Sequence, residues 1–324
     1  MYELNADVNY NYIYSSTASN PSSIIVIEPK STRNNCLQWI KESKTAIEQM
    51  LLQHGGVLFR GWNINSMSDF NDIANAICPR LLEYQYRSTP RTKIGGNIYT
   101  ATEYPHELSI PFHNENSYSR SWPSKILFYS SLVASTGGET PLADSRIVYN
   151  RIEKTIREKF EKKGILYVRN YNLGIDLSWQ EVFQTNSIEE VNKYCKENDI
   201  EYQWKDDGPI LTTRQVCQAS IEHPITKERV WFNQAHLFHF SSLKYEDRIL
   251  LTSTIGVERL PRNTFYGDGE NIEEEVLDHI RDIYDQEMII FKWNKSDVLI
   301  LDNVLMAHSR KPFQGKRKVG VAMG

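Results

Sequence analysis

The chain has 324 residues, 40% of them hydrophobic and 11% aromatic, ample for a sizeable buried core in one large or two ordinary domains. A net charge of −4 and a pI near 6.1 leave no polycationic footprint, which excludes nucleic acid or an anionic membrane as a main partner. Cys36, Cys78, Cys195 and Cys217 lack CxxC spacing, no run approaches the roughly eighteen apolar residues of a membrane span, and MYELNADVNYNYIYSST has no signal-peptide pattern; a cytoplasmic protein with reduced thiols is expected.

Residues 1–23, rich in Asn, Ser and Tyr, read as an irregular arm before a short β-type run, SIIVIEP. A helix is predicted over CLQWIKESKTAIEQMLLQHGG, where Cys36, Trp39, Ile40, Ile47, Met50 and Leu51 recur at helical spacing and Gly55-Gly56 supply the stop. GVLFRGW reads as a buried strand and SMSDFNDIANAI as a second helix. A third helix is predicted from an Asp144-Ser145 cap through Val148, Ile152, Ile156 and Phe160 to Gly164. Residues 174–207 read as a polar helical insertion, with Trp179 and Phe183 one turn apart. Strands are predicted at SKILFYSSLVA, GILYVRNY, GPILTTRQVCQAS, RVWFN, MIIFKWN and DVLILDN, with a helix at NIEEEVLDHIRDIY. The expected fold is a β-rich α+β jelly roll: residues 1–54 an N-terminal arm and cover helix, and residues 55–324 a single domain with flanking helices and the insertion.

Within IPFHNENSYS, His113 and Glu115 stand two apart at the edge of a buried run. If that segment is extended, its period of two points both side chains to one face, as two ligands of one metal ion would require. Eight His and 41 acids in 324 residues make about one such His-x-acid pair expected by chance, so the pair alone decides nothing. Near the C-terminus an apolar run ends at Asp302-Asn303, and His308, Arg310 and Arg317 follow. Two histidines and a carboxylate facing one point with positions left open form the facial triad of non-haem Fe(II) oxygenases. His236 and His239, flanked by Leu and Phe without a completing acid or cysteine, read as core or pocket-lining residues, and His54, His106, His223 and His279 as surface or capping residues.

The ordered set HNE at 113–115, GGETPLAD at 137–144, VWFNQAH at 230–236, FYGDG at 265–269 and LDNVLMAHSRKPFQGKR at 301–317 resembles the TauD/TfdA family of Fe(II)/2-oxoglutarate dioxygenases, in its clavaminate-synthase-like and SyrP-like branch. The likeness covers about residues 55–324. It implies iron ligands at His113, Glu115 and His308, and Thr140 and Arg317 on the distal carboxylate of 2-oxoglutarate, a role for which an Arg fork suits better than a Lys point charge. It implies turnover with O2 to succinate and CO2, coupled to oxidation of a substrate C–H bond. Glu115 argues against halogenation, because related halogenases leave that ligand position vacant. Thr102, Ser109, Arg214, Phe232, Asn233, Gln234 and Arg310 are the expected substrate contacts, an apolar wall with donors and acceptors suited to an amino acid or its derivative, free or tethered to a carrier protein. Hydroxylation is the expected outcome; desaturation, epoxidation, a jelly-roll binding module without turnover, and Zn(II)-assisted hydrolysis are the alternatives.

Overall fold

The strand Val298–Asp302 shows how the sequence builds the layers. All five residues are buried, and alternate side chains go opposite ways. Val298 and Ile300 join one apolar cluster, Leu299 and Leu301 another. The neighbouring strand Lys125–Leu132 divides likewise, with Leu127 and Tyr129 to the first cluster and Ile126 and Phe128 to the second; so does Ser23–Pro29, with Ile25 and Ile27 against Ile24 and Val26. A sheet covered on both faces needs such continuous apolar runs, and these strands have them.

The computed structural model describes residues 7–15, 22–31, 34–83, 86, 88–101, 104–171, 174–205 and 210–324. Its large sheet has eight strands in the spatial order Val8–Tyr14, Ser23–Pro29, Gly56–Phe59, Val298–Asp302, Lys125–Leu132, Lys318–Met323, Ile98–Thr100 and Lys93–Gly95. Ser23–Pro29 runs parallel to Gly56–Phe59, and the other pairings are antiparallel. Helices Cys36–Glu42, Lys44–His54 and Met67–Ile77 cover the first face. Against the second lies a three-stranded sheet in which Met306–Arg310 runs between Ile110–His113 and Leu142–Asp144. The two facing sheets form the expected jelly roll, the double-stranded β-helix. A separate sheet of Glu201–Lys205, Ile210–Cys217, Ile165–Asn170 and Arg262–Tyr266 packs with most of the remaining helices around a third core, while Tyr245–Ile255 buries no residue.

Several expectations are corrected in detail. The helix predicted across residues 36–54 is two helices meeting at Ser43, and the one predicted from Ser145 breaks at Ile152 before Lys154–Lys163. Gly55 does end its helix, in the left-handed conformation (φ 70°) that glycine adopts without a Cβ penalty. The arm contains a strand, Val8–Tyr14, which closes one edge of the large sheet by pairing with Ser23–Pro29. The insertion carries helices Trp179–Phe183 and Ile188–Glu197, each with a Ser side-chain cap, but ends in the strand Glu201–Lys205. MIIFKWN forms no strand; it touches the sheet through one bridge, Ile289 to Leu142, and buries Phe291 and Trp293 as a plug. Among the described residues no helix is long and apolar enough to cross a membrane.

Candidate metal centre

His308 lies directly opposite His113 in the register of their antiparallel strands. Such pairs carry their side chains on one face with Cβ atoms about 5 Å apart, and here the ring centroids are 4.3 Å apart. Phe128 from the large sheet meets the His308 ring edge-on and closes the space behind it. The His113 Nδ1–H donates to the Pro111 carbonyl at 2.8 Å, which fixes the ring and leaves Nε2 as its lone-pair nitrogen.

Glu115 reaches the same point by a different route. The strand ends at His113, and the chain then turns through Asn116 (φ 57°), so alternation along a strand does not aim the carboxylate. Asn303 does. Its Oδ1 accepts the Glu115 backbone N–H at 2.7 Å, while its Nδ2 donates to the Glu115 and Pro123 carbonyls at 3.0 and 2.8 Å. Asn114 adds a donor to the Asn303 carbonyl at 2.7 Å, and Gln234 donates to the Asn114 carbonyl at 2.8 Å. Asp302 sets the corner that carries Asn303: its Oδ1 accepts from Val304 and Leu305 N–H, and its Oδ2 faces buried His223 at 3.1 Å. His223 is therefore a buried cap that also holds the turn after it, not a surface residue.

The ligand atoms of His113, Glu115 and His308 all lie within 4.8 Å of one another, the one group of three or more His, Cys, Asp or Glu side chains so placed among the described residues. Burial is the main cause that lowers the pKa of both imidazoles, that of His308 well below the ordinary range with His113 and Arg91 adding to the effect. Both rings are thus neutral at pH 7, the form that binds metal. The buried His308 Nδ1 has no hydrogen-bond partner among the described residues. Two neutral imidazoles and one carboxylate so close together fit an iron(II) ion with positions to spare.

The two-residue strands Thr136–Gly137 and Phe313–Gln314 pair next to this cluster and bring Arg317 to Thr140. The Arg317 Nε donates to the Gly138 carbonyl at 3.1 Å, and an Nη lies 3.5 Å from Thr140 Oγ1, which also accepts from the Trp293 indole at 3.0 Å. Gly138 makes room: at φ 75°, a Cβ there would stand 3.0 Å from Arg317 Cδ. Burial, with Arg310 second, lowers the Arg317 pKa to about 10, so the group stays cationic at neutral pH. Thr140, Arg317, His113 and His308 line one cavity, together with Arg91, Phe128 and Arg310.

The expected substrate contacts fare less evenly. Arg310 lines the cavity, but its guanidinium donates to the carbonyls of Tyr104, Pro105 and Leu108 and so anchors the loop before Ile110. Arg214 is exposed on its strand, and Ser109 is exposed too. Phe232 packs on Trp122 in a core cluster, Asn233 spends its amide on the Ala219 carbonyl and the Ala235 N–H, and Gln234 supports the Glu115 turn, so none of the three lines the cavity. Thr102 lies outside the described residues. Buried His236 donates to the Phe112 carbonyl, and His239 pairs with Ser241; among the described residues neither belongs to a group of three or more converging metal-ligand side chains. Sequence reasoning missed Arg91, Trp293 and the clamp role of Asn303. Only Asn303 had a signal, a turn pair placed just before a candidate ligand.

A jelly roll with two histidines in its cavity, a carboxylate beside them, and an arginine and a threonine lining the same cavity has the design of an iron- and 2-oxoglutarate-dependent oxygenase. The comparisons agree. Residues 32–323 match the family described as taurine catabolism dioxygenase TauD, TfdA family, and the chain belongs to that family. It is 44% identical to the dapdiamide synthesis protein DdaC of Enterobacter agglomerans over 86% of this chain and 84% of that protein. It is 31% identical to a clavaminate synthase-like protein of Arabidopsis thaliana over 87% and 85%. PvcB from Pseudomonas aeruginosa shares the fold at a TM-score of 0.57 and 11% identity, covering 100% of this chain and 94% of that one. AAD-2, solved with Mn(II) and N-oxalylglycine, does so at 0.52 and 12% identity, covering 98% and 96%. The protein is an oxygenase that uses Fe(II), 2-oxoglutarate and O2.

Proposed function

We propose that His113, Glu115 and His308 hold the iron, that Arg317 and Thr140 take the far carboxylate of 2-oxoglutarate, and that the enzyme hydroxylates an amino acid or amino-acid derivative, free or carried on a protein. The observation that carries the ligand assignment is the convergence of the three ligand atoms within 4.8 Å, two of them on histidines that line the same cavity as Arg317 and Thr140. When bound, iron and 2-oxoglutarate supply an oxidant derived from O2, with succinate and CO2 as the spent products. The residues do the rest. Arg317 offsets the charge of a dicarboxylate in a water-poor cavity, Thr140 offers a hydroxyl already oriented by the Trp293 indole, and Phe128 with Ile110 keeps water from the reacting face.

The relation to a dapdiamide synthesis protein supports an amino-acid-derived substrate in specialised metabolism. A second cavity of about 200 Å³ shares Arg91 with the metal cavity and is walled by Leu177, Gln180, Glu181 and Gln184 of the insertion. Its polar wall suits a polar substrate entering from that side, although the Glu181 carboxylate there already accepts from the Ser178 N–H and hydroxyl. The test has two parts. Anaerobic protein given Fe(II) and 2-oxoglutarate should develop a weak visible charge-transfer band that is lost in Glu115→Ala; a folded, iron-loaded protein without the band would sink the ligand assignment. Mass spectrometry of a panel of amino acids, free and carrier-loaded, should then find a product with one added oxygen. Loss of two hydrogens would mean desaturation, and succinate release never coupled to any substrate would favour a binding module.

A further inference from the structure

Glu115 is pinned at its backbone by Asn303 on both N–H and carbonyl, yet two methylenes separate that anchor from its carboxylate. A side chain with that freedom populates several postures, and a ligand carboxylate can meet an ion with one oxygen or with both. What restrains it is Arg91, whose Nη2 donates to Glu115 Oε2 at 2.7 Å, with both side chains only 3% exposed. The other Nη lies 4.0 Å from Met323 Sδ, so Arg91, beside the edge strand Lys93–Gly95, is seated against the large sheet rather than the sheet that carries the histidines. It also lines the cavity with His113 and His308.

We infer that Arg91 is a positioning residue that holds one oxygen of Glu115 and so presents the other, alone, to the metal. The inference rests on the reading of His113, Glu115 and His308 as the ligands. Its sign separates it from simple electrostatics. A guanidinium beside the cluster repels a divalent cation, so if Arg91 were only a nearby charge, its neutralisation would tighten metal binding. If it orients the ligand, neutralisation weakens binding, and loss of an outer-shell partner of this kind typically costs about 10–100-fold in metal affinity. Lysine is no substitute for the planar fork, since an ammonium offers a point charge on a more strongly hydrated head.

The experiment is a Mn(II) titration of the apoprotein, read by the loss of the free-ion EPR signal, for wild type, Arg91→Gln, Arg91→Lys and His308→Ala, with a thermal melt of each. The expected result is binding about 10–100-fold weaker in folded Arg91→Gln and weakening in Arg91→Lys, with a changed visible spectrum of the Co(II)-loaded Arg91→Gln as the second carboxylate oxygen enters. Folded Arg91→Gln that binds Mn(II) as tightly as wild type, or more tightly, overturns the inference. Should Arg91→Gln not fold, Arg91→Lys decides: weakened binding supports the inference, and wild-type affinity overturns it. If wild type and His308→Ala titrate alike, the ligand reading itself has failed and the inference falls with it, an outcome distinct from a normal wild type with an indifferent arginine.

Discussion

Replacing Arg317 with Ala isolates the anchor from the metal. The guanidinium keeps one contact with the Gly138 carbonyl and leans towards Thr140, which leaves N–H groups of its fork for a carboxylate in the same cavity. Charge-assisted hydrogen bonds are worth about 1.5–3 kcal/mol each, and a second donor to the same carboxylate adds less than the first; a loss of about 3 kcal/mol, roughly 150-fold in affinity for 2-oxoglutarate, is expected. Thr140→Val, which removes one neutral hydroxyl, should cost about 1 kcal/mol, or roughly fivefold. Because the two residues touch, the double variant should lose less than the sum of the singles. The assay is a titration of the Fe(II)-loaded protein with 2-oxoglutarate by the visible band, alongside the KM for 2-oxoglutarate from succinate formation. Metal affinity should stay within about twofold of wild type in all three variants, since neither residue is in the ligand cluster. A folded Arg317→Ala with unchanged affinity for 2-oxoglutarate would refute the assignment.

Gly138→Ala should act on the same anchor from the other side: a methyl at φ 75° and 3.0 Å from Arg317 Cδ must displace that side chain, so affinity for 2-oxoglutarate falls while iron binding persists, as the same titrations would read. Asn303→Ala removes three buried hydrogen bonds from the turn that carries Glu115 and should destabilise the fold by about 3 kcal/mol in urea unfolding, with weaker metal binding in the fraction that folds. Stability should also fall with acid through His236, whose pKa burial depresses to about 3. The native state leaves this ring unprotonated while the unfolded chain takes up a proton below about pH 6.5, so stability is full above that value and declines by about 1.4 kcal/mol per unit towards pH 3, roughly 2 kcal/mol at pH 5. In His236→Gln the slope of stability against pH between about 6 and 4 should drop by that one proton equivalent; an unchanged slope would mean the ring is not buried neutral.

How far the sequence could be read follows from where each interaction lies along it. The two-faced strands were legible because alternation is written into adjacent residues: Leu299 and Ile300 face different cores by geometry alone. Caps and stops were equally local, as at Asp144 and Gly55. An apolar run, by contrast, reports burial and not conformation, so MIIFKWN looked like a strand while Phe291 and Trp293 serve as a plug. The strand Val8–Tyr14 was hidden for the opposite reason: Val8, Tyr10, Tyr12 and Tyr14 alternate with Asn9, Asn11 and Ile13, but on an edge strand only Val8 is buried, and the Asn- and Tyr-rich composition reads as an irregular arm.

The sequence alone determined which side chains could form the centre, because a histidine and an acid at 113 and 115, a histidine at 308, and Thr140 and Arg317 within recognisable blocks carry their chemistry wherever they are placed. Only the tertiary structure decided how they are aimed. Glu115 is turned by an asparagine 188 residues away, its carboxylate is held by Arg91 from the loop before Lys93–Gly95, and Arg214, equally plausible in the linear chain, faces outward. Covalent spacing constrains the direction of a side chain over a few residues; across larger separations, strand register and the partners waiting there constrain it, and neither is written in any one segment.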